Sequence, residues 1–207
     1  MTDREDYTGP PLVLAEMAED PITEFGHWFQ MAIDAELPQP NAMNLATARD
    51  NRPSMRAVLL KDFDSNGFVF YTNYGSRKAR QLDGNPHAAI SFVWLGLHRQ
   101  VRVEGTVSKI SAEESDAYFA TRPRGAQLAA GISRQSEVIP DRGNLELAFA
   151  AADEKFAGRD VPRPDYWGGY RLTGERFEFW NGRLDRLHDR VRYRWEEDGW
   201  IREWLSP

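Results

Sequence analysis

The chain contains no cysteine. Disulfides, thiolate metal sites and cysteine nucleophiles are therefore excluded, and a reducing compartment is compatible with the composition. No apolar run approaches the roughly 20 residues that a membrane-spanning helix needs. The first residues, Met1-Thr2-Asp3-Arg4-Glu5-Asp6-Tyr7, lack the basic and apolar regions of a secretion signal, so a cytoplasmic protein is expected. Positive charge is not in excess: 26 Lys and Arg stand against 32 Asp and Glu, a formal net charge of −6. That argues against broad nucleic-acid binding but leaves room for a local basic pocket. The 4 histidines show no paired spacing, and there is no Gly-rich phosphate loop and no nucleophile elbow. No metal site is expected.

What is present is a globular composition, 41% hydrophobic and 28% charged over 207 residues, enough for one domain with a sizeable core. Residues 1–20 carry Gly9, Pro10, Pro11 and several acids and read as a mobile arm; residues 21–207 read as a single domain. Asp20-Pro21 is a helix start, and Ile22, Phe25, Phe29, Ala32 and Ile33 recur at helical spacing. Strands are expected at residues 43–48, 56–63 and 68–72, the last two joined by an Asn66-Gly67 hairpin. Ser76 caps a short helix over 77–82. Strands follow at 88–94 and 100–110, and Ser111 with Glu114 forms a capping box for a helix to about Thr121. Another helix is expected over about 144–156. Strands return at 169–172, 176–180, 187–195 and 200–205, with Asp198-Gly199 turning the last hairpin. Short strands, hairpin turns and a few interspersed helices predict a mainly β fold, an antiparallel barrel with flanking helices.

Several clusters of charge stand out. If residues 183–194 form a strand, Arg186, His188, Arg190, Arg192 and Arg194 share one face. Such a row is costly unless water or an anion faces it, and a solvated strand face fits it as well as a site does. Ser76-Arg77-Lys78 puts two cations in the first turn of a helix, where they oppose the dipole; a bound anion would resolve the conflict, and an exposed pair is the alternative. Arg56 and Lys61 bracket an apolar run and fall on opposite faces by strand period. Arg122 and Arg124 flank Pro123 at a helix end, where cations also suit the dipole. Arg134-Gln135-Ser136 is polar in a stretch of small residues. Trp180 precedes the cationic strand, although a strand Trp is more often core.

In order and spacing, these pieces resemble the pyridoxamine 5′-phosphate oxidase family, flavin enzymes of vitamin B6 metabolism. The matching text runs from about residue 4 to 207. It includes Arg56-Ala57-Val58-Leu59-Leu60-Lys61, Gly75-Ser76-Arg77-Lys78, Arg122-Pro123-Arg124, Ser133-Arg134-Gln135-Ser136, Trp167-Gly168-Gly169 and Arg186-Leu187-His188-Asp189-Arg190. The resemblance implies an FMN-binding split β-barrel and a homodimer in which both subunits contribute to each active site. It implies that residues 56–61 (Arg56, Ala57, Val58, Leu59, Leu60 and Lys61), with Tyr71, Thr72, Arg77 and Lys78, cradle the flavin. Gln100, Gln135, Ser136, Trp180 and Arg190 complete that site, partly from the partner. Lys61, Tyr118 and Arg122 hold the phosphate of the vitamin. Arg186 and His188 form the catalytic pair against its ring, and Arg4 and Tyr7 match an Arg-x-x-Tyr arm that closes over substrate.

The implied activity is oxidation of pyridoxamine or pyridoxine 5′-phosphate to pyridoxal 5′-phosphate, with O2 as acceptor and H2O2 as product. The sequence departs from the family at Ala126, where a phosphate-binding Ser is common, at Gly131, where Trp is common, and at Asn181, where Gln is frequent. Two alternatives remain open. One is a related flavin oxidase of another ring, as in phenazine biosynthesis. The other is a non-catalytic protein that binds flavin or pyridoxal phosphate.

Overall fold

The computed structural model describes Asp6, Tyr7 and residues 9–207. Helix α1 (Pro21–Asp34) starts where expected: the Asp20 carboxylate accepts the Thr23 amide at 2.7 Å, with proline in the first turn. Its buried face, Phe25, Trp28 and Ala32, lies against a nine-stranded antiparallel sheet. The strands are β1 (Ala42–Arg49), β2 (Arg52–Leu59), β3 (Asp62–Asp64), β4 (Gly67–Asn73), β5 (His87–Trp94), β6 (Arg99–Lys109), β7 (Trp167–Asn181), β8 (Asp189–Glu196) and β9 (Gly199–Trp204). They run in the order β2-β1-β5-β6-β7-β4-β3, and β8 and β9 continue from the far half of β7. The remaining helices are α2 (Arg77–Gly84), α3 (Ala112–Thr121), α4 (Arg124–Ile132) and α5 (Gly143–Lys155). The sheet curls around a core of Phe68, Phe70, Phe92, Phe177, Phe179 and Tyr193, with Leu45 and Ile90 between them. Each such side chain contributes about 1.5–3 kcal/mol by leaving water. A smaller cluster, Phe119, Leu128, Ala130, Val161 and Trp167, fastens α3 and α4 to the barrel wall.

Three expectations need correction. The segment 169–180 is one strand, not two. The two expected strands are continuous through Thr173-Gly174-Glu175, where a bulge absorbs the extra residue: the β6–β7 register shifts between Glu104 and Gly105. A Cβ on Gly105 would run into the Thr173 carbonyl, so the close approach requires glycine there. The segment 56–63 is two strands. β2 stops at Leu59, Leu60 turns into the core, and β3 begins at Asp62. Pro123 also does more than end α3, since it is the N-cap of α4, a helix not among the expected elements.

The fourth correction concerns residues 183–194. Residues Leu184–Arg186 form a 3-10 turn, and β8 begins only at Asp189. Asp185 and Arg186 both adopt left-handed backbone, at φ 55° and 63°, which is uncommon for residues with a Cβ. Arg186 and His188 therefore do not continue the face of Arg190, Arg192 and Arg194. Those three arginines face protein carboxylates. Arg190 meets Glu178 in a two-pronged pair at 3.0 and 3.1 Å. Arg192 and Arg194 share Glu203, and Arg194 also takes Glu196. The charge of the row is thus balanced within the fold.

Candidate active site

β2 lies at the edge of the sheet order and approaches β4 without pairing to it. At this split a cavity of about 580 Å³ opens. Its walls include Arg56, Ala57, Val58 and Leu59 from β2, Lys61 beyond it, Tyr71 and Thr72 from β4, Arg77 and Lys78 from α2, and Gln135 and Ser136 from the loop after α4. Eleven of the flavin-site residues expected from sequence are thereby brought to one cavity. Arg56 and Lys61 both reach it, because the break in strand period at Leu60 puts them on the same side. Leu60 itself points into the core. Sequence reasoning missed Ser54 and Met55, which also line the cavity; their only signal was adjacency to Arg56.

Among the described residues, four cations line this space and no carboxylate does. Among the same residues, Arg56 is held by neutral oxygens, donating to the Leu45 carbonyl at 3.0 Å, Thr47 Oγ1 at 2.7 Å, Ser54 Oγ at 2.6 Å and Gln81 Oε1 at 3.2 Å. Lys78 is buried and donates to Thr72 Oγ1 at 2.9 Å and Gln135 Oε1 at 2.7 Å. Burial, then Arg56, pulls the Lys78 ammonium down to about 8. Burial, then Arg77, likewise lowers Arg56. Ser76 caps α2, and Ser136 Oγ accepts the Arg77 amide at 3.2 Å. Cations at a helix start with no counter-ion among the described residues suit a bound anion.

Tyr71 extends the cavity into an aromatic wall. Its ring stacks on Tyr118 at 3.9 Å and on Trp167 at 5.4 Å. Gly169 leaves room for the Tyr71 ring, since a Cβ there would stand 2.9 Å from it, while a Cβ on Gly168 would run into the Tyr74 hydroxyl. The guanidinium of Arg122 lies over Trp167 at 4.5 Å, and its Nη1 is buried without a hydrogen-bond partner among the described residues. Burial of this kind costs free energy unless a ligand meets the group. Burial, then Tyr118, pushes the Tyr71 hydroxyl up to about 12, so it stays protonated as a donor. Trp167 was not among the expected site residues, although its Gly-Gly neighbours marked a close approach.

The other expected residues gather elsewhere. Gln100, Trp180 and Arg190 occupy one register row across β6, β7 and β8. Three inter-strand spacings separate this row from β2, about 14 Å. From Gly169, the partner of Tyr71, it is roughly 35 Å along β7. None of the three lines the cavity. Around Trp180 sit His188 at 4.6 Å and Tyr7 at 6.0 Å, and Tyr7 also meets His98 at 4.4 Å and His188 at 5.7 Å. The Arg183 amide donates to His188 Nδ1 at 3.1 Å. A backbone amide only donates, so Nδ1 carries the lone pair and Nε2 the proton. Burial, then Arg186, holds His188 below the ordinary imidazole range, against Asp189. Arg186 is exposed on the adjoining turn. Arg4 lies outside the described residues.

Residues 29–156 match the profile of the family described as pyridoxamine 5′-phosphate oxidase. The chain belongs to this family. Residues 167–207 match a second profile, the pyridoxine 5′-phosphate oxidase C-terminal dimerisation region. A pyridoxine/pyridoxamine 5′-phosphate oxidase of Rubrobacter xylanophilus is 57% identical over 99% of this chain and 94% of its own. One from Acaryochloris marina is 52% identical over the same shares. Among solved structures, PhzG from Burkholderia lata 383 in complex with tetrahydrophenazine-1-carboxylic acid superposes with a TM-score of 0.92, at 29% identity, covering 98% of this chain and 100% of that one. An FMN-binding protein from Nostoc punctiforme, related to pyridoxamine 5′-phosphate oxidase, has a TM-score of 0.74 at 20% identity, covering 92% and 100%, and supports the split-barrel fold.

Proposed function

We propose that this protein is an FMN-dependent oxidase that converts pyridoxamine or pyridoxine 5′-phosphate to pyridoxal 5′-phosphate. The observation that carries the reading is the cavity at the β2–β4 split, with four cations, no carboxylate and the buried Lys78. Its donors fit a terminal phosphate, which Arg56, Arg77 and Lys78 would hold with the Ser136 hydroxyl. Bound there, FMN would accept a hydride equivalent from the vitamin and pass its electrons to O2, giving H2O2. The chain's own residues bind and orient. Lys61, Tyr118 and the unpartnered Arg122 would take the substrate phosphate beside the Tyr71 wall. Ala126 adds no hydroxyl there. Arg186 would offset negative charge on the substrate ring, and His188 would face the ring as a neutral Nε2–H donor.

The second group of residues then needs a second chain. The outer sheet face between β2 and β6 carries small side chains, Ala42, Asn44, Ala46, Ala89 and Ser91, with exposed Met55, Leu59 and Val93 among them. A face of small and apolar side chains suits a two-fold partner. In a homodimer the Gln100–Trp180–Arg190 row of one copy would complete the cavity of the other. We place the reaction in the cytoplasm, in keeping with the absence of cysteine; among the described residues no helix is long and apolar enough to cross a membrane.

The test is release of the cofactor, chromatography against FMN and FAD, and peroxide formation with each B6 phosphate. FMN and stoichiometric peroxide are expected. A protein that carries FMN but turns over only a tricyclic acid would move the reading to the phenazine branch, which the Burkholderia structure makes the natural comparison.

A further inference from the structure

The backbone of residues 9–18 is tied down by side chains that arise from β7, β8, β9 and the turn between β7 and β8. Asn181 Nδ2 donates to the Pro10 carbonyl at 3.0 Å and to Asp189 Oδ2 at 3.2 Å. The same Asp189 oxygen accepts the Leu12 amide at 2.9 Å. Arg183 donates to the Gly9 carbonyl and stands 3.6 Å from the Asp189 carboxylate. Farther along, Arg202 donates to the carbonyls of Leu14 and Met17, at 3.1 and 2.6 Å, and the Tyr193 hydroxyl to that of Ala18 at 2.8 Å. Asn181 is buried and Asp189 half-buried, so these bonds are shielded from competing water.

We propose that Asp189, with Asn181 and Arg183, is a clasp that docks the N-terminal arm, and that Asp189 is thereby a positioning residue for the site. The docking places Tyr7 against His98, Trp180 and His188. Gly182 leaves the room for it: a Cβ there would stand 2.6 Å from the Tyr7 ring and 3.0 Å from His98 Cβ. The clasp and the candidate catalytic pair share one short segment. Arg183 uses its side chain on the arm and its amide on His188 Nδ1, while Arg186 lies between them in sequence. Release of the arm would free the Arg183 side chain and loosen the turn that orients the His188 ring. Asp189 touches neither the cavity nor its cations; it acts through Leu12, Asn181 and Arg183.

The consequence for substrate rests on the functional reading above, whereas the docking itself does not. The experiment uses the flavin-loaded full-length protein and two variants, Asp189→Ala and Gly182→Ala. One opens the clasp, and the other displaces Tyr7 from beneath. Limited chymotrypsin digestion read by mass spectrometry gives the rate of cleavage at Tyr7, Leu12 and Leu14. Both variants are expected to be cut in the arm at least about tenfold faster than the parent, with flavin content kept. The KM for pyridoxine 5′-phosphate is expected to rise more than kcat falls. Asp189→Asn, which keeps an acceptor for the Leu12 amide, should restore part of the protection. Cleavage of Asp189→Ala within twofold of the parent overturns the clasp. Should one variant fail to fold, the other gives the same reading. Failure of the parent to oxidise any B6 phosphate would count against the functional reading and leave the cleavage result standing.

Discussion

Individual charges carry the account at the smallest scale. Lys78 is a cation among neutral acceptors, its pKa pulled down to about 8 from 10.5. Between those values the unfolded chain binds more protons, so this group's contribution to stability rises as pH rises through that window. A bound phosphate reverses the preference and restores the proton. Flavin affinity is therefore expected to fall as pH rises above about 8, with proton uptake on binding, which calorimetry in buffers of different ionisation enthalpy would measure. Lys78→Met should weaken flavin binding by roughly 1.5–3 kcal/mol, the worth of a charged hydrogen bond, without lowering the melting temperature of the apoprotein. A large loss of apoprotein stability would show that Lys78 is structural. Arg186 and Arg190 make a second contrast. Arg186 is exposed with no ion pair to a described carboxylate, and Arg186→Leu should keep flavin and lose most of its reduction by substrate. Arg190→Leu strips Glu178 of its two-pronged partner and should cost about 1–3 kcal/mol of stability besides weakening flavin binding. Equal and silent phenotypes in flavin titration and single-turnover reduction would remove both residues from the site.

Strands and turns decide which of these residues meet. The bulge at Glu104/Gly105 lets one strand, β7, pair with β4 at its start and β8 at its end. Gly105→Ala would force a Cβ onto the Thr173 carbonyl and should destabilise the protein by about 1–3 kcal/mol, read by thermal melting; an unchanged midpoint would mean that the bulge relaxes freely. The same bulge marks the limit of what was legible in the sequence. Helix starts with a side-chain cap, Asp20, Ser76 and Ser111, were readable because their signal is local. So was the hairpin at Gly67, where φ is 126°. The continuity of β7 through Thr173-Gly174-Glu175 was not legible, because a bulge depends on the strand opposite. The cationic row failed for a similar reason. Strand period assigned Arg190, Arg192 and Arg194 correctly to one face, but Glu178 and Glu203, which neutralise them, lie on other strands. No periodicity in residues 183–194 could announce the left-handed pair Asp185 and Arg186. The cavity residues were found by their likeness to a family, since Lys61 and Arg56 share a side only through the break at Leu60.

For the whole molecule, the residues expected at the site fall in two regions of one chain. The cations collect at the β2–β4 split, while Trp180, His188 and Tyr7 collect at the far end of β7. On the proposed reading two copies bring these halves together. Ala89→Arg, which places a charge on the outer sheet face and outside the flavin cavity, should yield a monomer by light scattering that also loses flavin. A flavin-loaded monomer would contradict the shared site. The most direct test of the central claim is anaerobic mixing of the flavin-loaded protein with pyridoxine or pyridoxamine 5′-phosphate while the flavin absorbance near 450 nm is followed. The account predicts bleaching within one turnover, one pyridoxal phosphate formed per flavin, and recovery of the colour with H2O2 on admitting air. A flavin that stays oxidised with both B6 phosphates would contradict it.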